Sequence, residues 1–239
     1  MLTTGLDILR ILAEAPEPLT ATAIAERVGL HVSNVSRTLG VLARHGYVRK
    51  PSYHSFAPDI GVLALAGAAA HRLPAIARTG TAVADLARVS GLSATLAALH
   101  GGQVLYLHRC SPGGEAVVAE AGGWPLHLSV VGLRLLLDQP AKAARAQLEL
   151  AAKRYGWERP TATTPDGPAA CLAEARRRLV GGVLRLDGWD RPGQVAVATA
   201  LAVDGQPPLA LALVGAGTFD PSHLASGVAA ITAALTEIP

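Results

Sequence analysis

The tightest constraint on this chain lies between Thr20 and Gly46, where two short amphipathic helical patterns are separated by one glycine-containing turn. Behind Thr20, a natural N-cap, Ile24, Ala25 and Val28 recur at helical spacing, and Gly29 stops the pattern. Leu30, His31 and Val32 make the turn. Ser33 is placed to cap a further helix, whose Val35, Leu39 and Leu42 point inward before Gly46 ends it. Helix, tight turn and helix at this spacing predict a helix-turn-helix. Upstream, Leu6, Ile8, Leu9, Ile11 and Leu12 form the apolar stripe of a first helix that ends near Ala15, ahead of Pro16 and Pro18.

Beyond Gly46 the chain has the character of a small hairpin. Tyr47–Lys50 reads as a strand, Pro51-Ser52 as a turn, and Tyr53–Phe56 as a returning strand. Together these pieces predict a winged helix over residues 1–57. Ser33, Asn34, Ser36 and Arg37 fall on faces of the third helix that Val35 and Leu39 leave free. Asn pairs with adenine, Arg with guanine, and serine hydroxyls with bases or phosphates, so this is a face suited to the major groove. Arg49, Lys50, Tyr53 and His54 would hold the DNA backbone from the wing.

The charge distribution points the same way. The whole chain carries a formal charge of only +3, yet no Asp or Glu occurs from Arg27 to Pro58. That stretch holds Arg27, Arg37, Arg44, Arg49 and Lys50, with His31, His45 and His54. A local basic field attracts polyanions even when the total is near neutral. Winged helices also serve as protein–protein modules, and that alternative stays open on charge alone.

With 50% hydrophobic and 16% charged residues, the chain can bury a core and is not a disordered polymer. The longest apolar run, Gly61 to Ala70, stops at His71-Arg72, short of a membrane span. The N-terminus, with Asp7 and Arg10 in an amphipathic pattern, does not read as a signal peptide, so a soluble cytoplasmic protein without membrane contact is expected. Cys110 and Cys171 are too few for a disulfide framework, and the histidines lack metal-ligand spacing. No GxSxG, P-loop or GxGxxG occurs, and no catalytic residue, metal or cofactor is predicted.

Residues 58–78 read as a linking helix interrupted at Pro74. Rich in Ala and Gly, it suits close packing against a second copy or burial within the chain. Residues 79–239 mix the two kinds of element, making an α/β domain. A helix to Ser90 precedes strands Ala94–His100 and Gln103–Cys110, joined at Gly101-Gly102, and a strand at Glu115–Glu120. Helices come next at Ala141–Arg154 and Pro168–Val180, then strands Gln194–Val203 and Leu209–Val214, and a last helix that Ser222 would cap.

The segments GLDILRILAEAPEPLTATAIAERVGL and HVSNVSRTLGVLARHGYV resemble the DNA-binding half of the IclR family of bacterial regulators. Later pieces, GGQVLYLHR, WPLHLSVVGLRLLL and RPGQVAVATALAVDGQPPLALALVGA, are similar to that family's effector domain. The resemblance implies a GAF-like α/β fold for residues 79–239, a small-molecule effector, and a homodimer or dimer of dimers on a partly palindromic double-stranded operator. It also implies a binding cup beside the helix that starts near Ser129 and over the closing hairpin. Carried onto this sequence, the cup comprises Leu107, His127, Ser129, Val130, Val131, Asp187, Ala196, Ala212 and Val214, with His108 as a further polar candidate. A helix N-terminus suits a carboxylate.

The sequence departs from the pattern in that cup. Val130 and Val131 replace small residues, Leu133 replaces a Lys, Ala196 a Cys and Ala200 a Pro, while Ala212 and Val214 stand where hydroxyl residues are frequent. Burying a carboxylate without partners is costly, so the expectation is a rather hydrophobic effector. The alternatives are a C-terminal domain reduced to a dimerisation module and, more remotely, an enzyme with an accessory winged helix.

Overall fold

The computed structural model describes residues 2–121 and 124–236, which divide into two compact units, Met1–Arg72 and Leu73–Pro239. In the first unit, α1 (Leu2–Glu14), α2 (Ala21–Val28) and α3 (Val32–Arg44) pack around Ile8, Leu12, Ile24, Ala25, Val35 and Leu39. A three-stranded antiparallel sheet of order β1-β3-β2 closes this core through Val48 and Phe56; its strands are β1 (Leu19–Thr20), β2 (Val48–Ser52) and β3 (Ser55–Pro58). Leu6 of the expected apolar stripe stays exposed.

The chain's punctuation explains the unit. Thr20 Oγ1 accepts the Ala23 amide at 3.1 Å to start α2, and Gly29 ends it in the left-handed region at φ +67°. Two local expectations shift. The cap of α3 is His31 rather than Ser33, because the imidazole reaches the Ser33 amide and the helix begins at Val32. The hairpin turn falls at Tyr53-His54, since an irregularity between Arg49 and Ser52 lets Pro51 remain within the strand and brings Ser52 opposite Ser55.

After β3, Asp59 caps α4 (Ile60–Ala70). Its start is seated on the unit: the Gly61 amide donates to the Gly46 carbonyl at 3.0 Å, so tightly that a Cβ on Gly61 would lie 2.4 Å from that oxygen. Beyond this seat α4 buries no residue, and Ile60, Leu63 and Leu65 are 70%, 67% and 62% exposed. The first unit ends at Arg72, and Pro74 opens α5 (Pro74–Ala77) in the second.

The second unit is a sheet between two helical layers. The strands are β4 (Ser93–His100), β5 (Gln103–Cys110), β6 (Ala116–Ala121), β7 (Leu179–Val180), β8 (Val183–Arg185), β9 (Val195–Leu201) and β10 (Leu209–Gly215). Their order is β6-β5-β4-β10-β9-β8-β7, antiparallel throughout. One face carries α6 (Gly80–Ser90) and α10 (Pro221–Thr236); the other carries α7 (Val130–Leu137), behind which α8 (Ala141–Tyr155) and α9 (Gly167–Arg177) pack. The helix expected to run to Val180 stops at Arg177. Gly181 and Gly182, both at positive φ, turn the chain between the strands of the β7–β8 hairpin. At α10, Asp220 rather than Ser222 supplies the cap, its carboxylate accepting the Ser222 amide at 2.8 Å.

The pleat sorts the central strands by size. Leu209, Leu211 and Leu213 of β10, with Leu96 of β4 and Val197 of β9, face α6 and α10. Ala210 and Ala212, with Ala97, Ala196 and Ala198, face α7. Gly132 lets α7 settle against β5: a Cβ there would meet Val104 at 2.8 Å and Leu126 at 2.6 Å. Among the described residues, no helix is long and apolar enough to cross a membrane, and no group of three or more His, Cys, Asp or Glu could hold a metal.

Candidate nucleic-acid interface and ligand cavity

The first candidate site is the outer surface of α3 and the hairpin. Val35 and Leu39 are fully buried and fix the rotation of α3, so Ser33, Asn34, Ser36 and Arg37 are all exposed on its first two turns. The Thr38 hydroxyl is spent within the helix, donating to the Asn34 carbonyl at 3.0 Å. His31, absent from the expected set, stands at the head of this surface with Nδ1 2.8 Å from Ser33 Oγ.

The hairpin presents the remaining predicted residues. Arg49 and Lys50 are exposed on β2, with the Lys50 ammonium 5.0 Å from the Phe56 ring centroid. Tyr53, 86% exposed, and His54 form the tip and meet edge to face at 4.6 Å. Ser52 and Ser55 close the hairpin through their hydroxyls at 2.6 Å. An exposed tyrosine at the end of a basic hairpin has no packing role in its own unit.

The second candidate site is a cavity of about 490 Å³ between α7 and the alanine face of the sheet. Alternating small residues on β9 and β10 leave this space. Ala196, Ala212 and Val214 form its floor, while Ser129, Val130 and Val131 enter at the start of α7. Ser129 caps α7 by accepting the Gly132 amide at 3.2 Å, and its hydroxyl lies 3.4 Å from that of Tyr106. Burial pushes the Tyr106 phenol above its usual range, against the opposing pull of the Ser129 hydrogen bond.

The structure leaves Leu107, His127, Asp187 and His108 outside the cavity lining. Leu107 packs on the α6 and α10 side. His127 is 2% exposed, stacks on Trp157 at 4.0 Å and donates through Nε2 to the Glu158 carbonyl at 2.8 Å, and burial lowers its pKa. Asp187 pairs with Arg185 at 2.5 Å and accepts the Ala196 amide. His108 donates to the Ile76 carbonyl at 2.9 Å.

A register shift explains part of this. Tyr106 pairs with Ala97, but the next pair is His108 with Leu96, so one extra residue in β5 resets the alternation. Arg109, not His108, therefore faces the cavity, its guanidinium 4.7 Å from the Tyr106 ring centroid and paired with Glu120. Further unexpected lining residues include Ser93 and Thr95 of β4, Trp124, and Trp189, Asp190, Arg191 and Gln194 of one loop. Thr164 and Thr161 anchor that loop, their hydroxyls donating to the Trp189 carbonyl at 2.6 Å and 3.0 Å. Burial raises the Asp190 carboxyl, with Arg191 pulling the other way. The cavity thus has apolar walls and a polar end, where the sequence departures predicted a mainly hydrophobic cup.

Residues 2–52 match the family model of the IclR helix-turn-helix domain. The whole chain is similar in fold to an IclR-family transcriptional regulator from Brucella abortus, with a TM-score of 0.78 at 23% identity over 100% of this chain and 92% of that one. A putative IclR transcriptional regulator from Silicibacter sp. TM1040 gives a TM-score of 0.71 at 20% identity, covering 98% and 92% of the two chains. An IclR homologue from Microbacterium hydrocarbonoxydans, solved as a complex with 4-hydroxybenzoate, gives 0.65 at 23% identity and 98% coverage of both chains.

Proposed function

We propose that this chain, an IclR helix-turn-helix domain joined to a body with the fold of IclR-family regulators, is a transcriptional regulator that reads operator DNA with α3 and its wing and answers to a small molecule. The observation that carries the reading is the surface of α3. Ser33, Asn34, Ser36 and Arg37 are all exposed on a helix whose other face is locked into the core, beside an acid-free basic hairpin. Such a surface has no use within its own unit and fits the major groove, with Arg49, Lys50, Tyr53 and His54 on the phosphates.

The test is a titration of the full chain against its own upstream intergenic DNA and against random DNA, at two salt concentrations, beside Arg37→Ala. Tight, salt-sensitive binding that favours the upstream DNA and is abolished in the variant is the expected result. Equal binding to both DNAs would overturn the reading.

The cavity supports an amphipathic effector: a compact apolar or aromatic body against Val130, Val131, Trp124 and Trp189, and a polar group toward Tyr106, Ser129 and Arg109. The 4-hydroxybenzoate complex of the Microbacterium homologue is a molecule of this kind on a similar fold. A thermal-shift panel of small aromatic acids against glyoxylate and pyruvate checks this. Stabilisation by an aromatic acid alone supports it, and stabilisation by the short acids alone sinks it. No shift with any member would favour the dimerisation-module alternative.

A homodimer is supported by α4, which contains no charged or polar side chain and buries none within one copy. Two copies joined there would bring two α3 helices to a partly palindromic operator. Sedimentation should show Leu63→Asp shifted toward monomer; an unchanged dimer would place the interface elsewhere.

A further inference from the structure

We infer that His31 is a positioning residue that fixes which way Ser33 can hydrogen-bond to a base, making Ser33 an acceptor at the head of the DNA-reading helix. The inference rests on the reading of α3 as the DNA-contacting element.

One proton in this pair has a fixed place. The Ser33 backbone amide can only donate, and it is directed at His31 Nδ1 at 3.3 Å. Nδ1 is therefore the bare nitrogen of the ring, and the ring proton sits on Nε2. The same Nδ1 lies 2.8 Å from Ser33 Oγ. A bare nitrogen cannot donate, so the hydroxyl must, and its only proton is committed to the imidazole. Ser33 Oγ keeps only its lone pairs for an outside partner.

A free serine hydroxyl rotates to suit either a donor or an acceptor on a base. The hydrogen bond to His31 removes that freedom. In the major groove the donors available to an acceptor are the exocyclic amino groups of adenine and cytosine; guanine and the thymine carbonyl offer only acceptors. Ser33 should therefore discriminate between base pairs by orientation. Both side chains are exposed, so neither interaction is imposed by burial. His31 is held in an extended conformation, φ −67° and ψ 139°, with its carbonyl already taking the Asn34 and Val35 amides. The residue is thus anchored at its backbone as well as at its ring.

The test is selection from a randomised operator by the full chain, comparing wild type, His31→Ala, His31→Asn, Ser33→Ala and the double variant His31→Ala/Ser33→Ala. One position per half-site should prefer adenine or cytosine on the contacted strand by about two- to tenfold in the wild type, the range of one net hydrogen bond. His31→Ala and Ser33→Ala should each flatten that position alone, and the double variant should flatten it no further. His31→Asn, whose side-chain carbonyl accepts the same two protons, should restore the preference. If His31→Ala weakens all sequences equally and leaves every base preference intact, His31 is only a helix cap and the inference fails. A preference for guanine or thymine at the Ser33 position overturns it too. Wild type that selects no sequence overturns both this inference and the reading beneath it, and that result shows before any variant is compared.

Discussion

At the scale of single residues, the histidines divide by what their protons do. His127 is enclosed under α7 with Nε2 bound to a carbonyl and Trp157 against its ring, and burial disfavours its charged form. Its pKa is lower in the folded chain than the usual value of about 6.5. The unfolded chain therefore takes up a proton first as pH falls. The contribution of the neutral ring is intact above about pH 6.5 and diminishes progressively below it. Urea unfolding at pH 7.5 and pH 5.5 should show a loss of stability on acidification that is smaller in His127→Asn; equal losses would assign the pH dependence elsewhere. Which side chains stand at the candidate DNA-facing surface was only partly legible in the sequence. Ser33, Asn34, Ser36 and Arg37 announce themselves because helical periodicity fixes which positions cannot be inside. His31 does not, because its contact with Ser33 depends on a turn geometry that no periodicity encodes.

At the scale of elements, glycine and proline marked most boundaries correctly, and the errors have local causes. The Gly181-Gly182 pair was hidden behind an amphipathic pattern that continued past the true end of α9. The extra residue in β5 was invisible because a strand's alternation reads the same until tertiary pairing forces the slip. That slip exchanges His108 for Arg109 at the cavity, which is why this one cation of the polar end escaped the sequence. The seat of α4 is another feature no pattern displays. Because Gly61 rests on the Gly46 carbonyl, Gly61→Ala should lower stability by about 1–3 kcal/mol through a backbone clash. Chemical denaturation followed by circular dichroism measures this. A variant as stable as wild type would mean that α4 is free to shift from its seat.

At the scale of the whole molecule, charge is organised where the net value hides it. A chain of +3 overall concentrates cations without acids from Arg27 to Pro58, so its affinity for DNA should depend steeply on salt. Arg49→Ala and Lys50→Ala should each reduce the slope of log K against log salt by about 0.9, the increment for a single neutralised phosphate. A slope unchanged in both variants would remove the hairpin from the interface. The winged helix and the α/β character of the second unit were readable because hydrophobic alternation and helical stripes are properties of the chain itself. The GAF-like fold was expected only from the family resemblance. The cavity's chemistry was not readable, because Trp124, the loop from Trp189 to Gln194 and Arg109 meet only once the sheet has closed.

The size sorting across β9 and β10 makes the sheet a partition between what is fixed and what is free to drift. A change such as Ala212→Val narrows the cavity by two methyl groups while Leu211 and Leu213, one step away along the strand, keep the opposite layer filled. Under the effector reading proposed above, single conservative steps on the alanine face would change what the cavity admits while the opposite layer stays packed. The alanines are the adjustable side of an otherwise settled molecule.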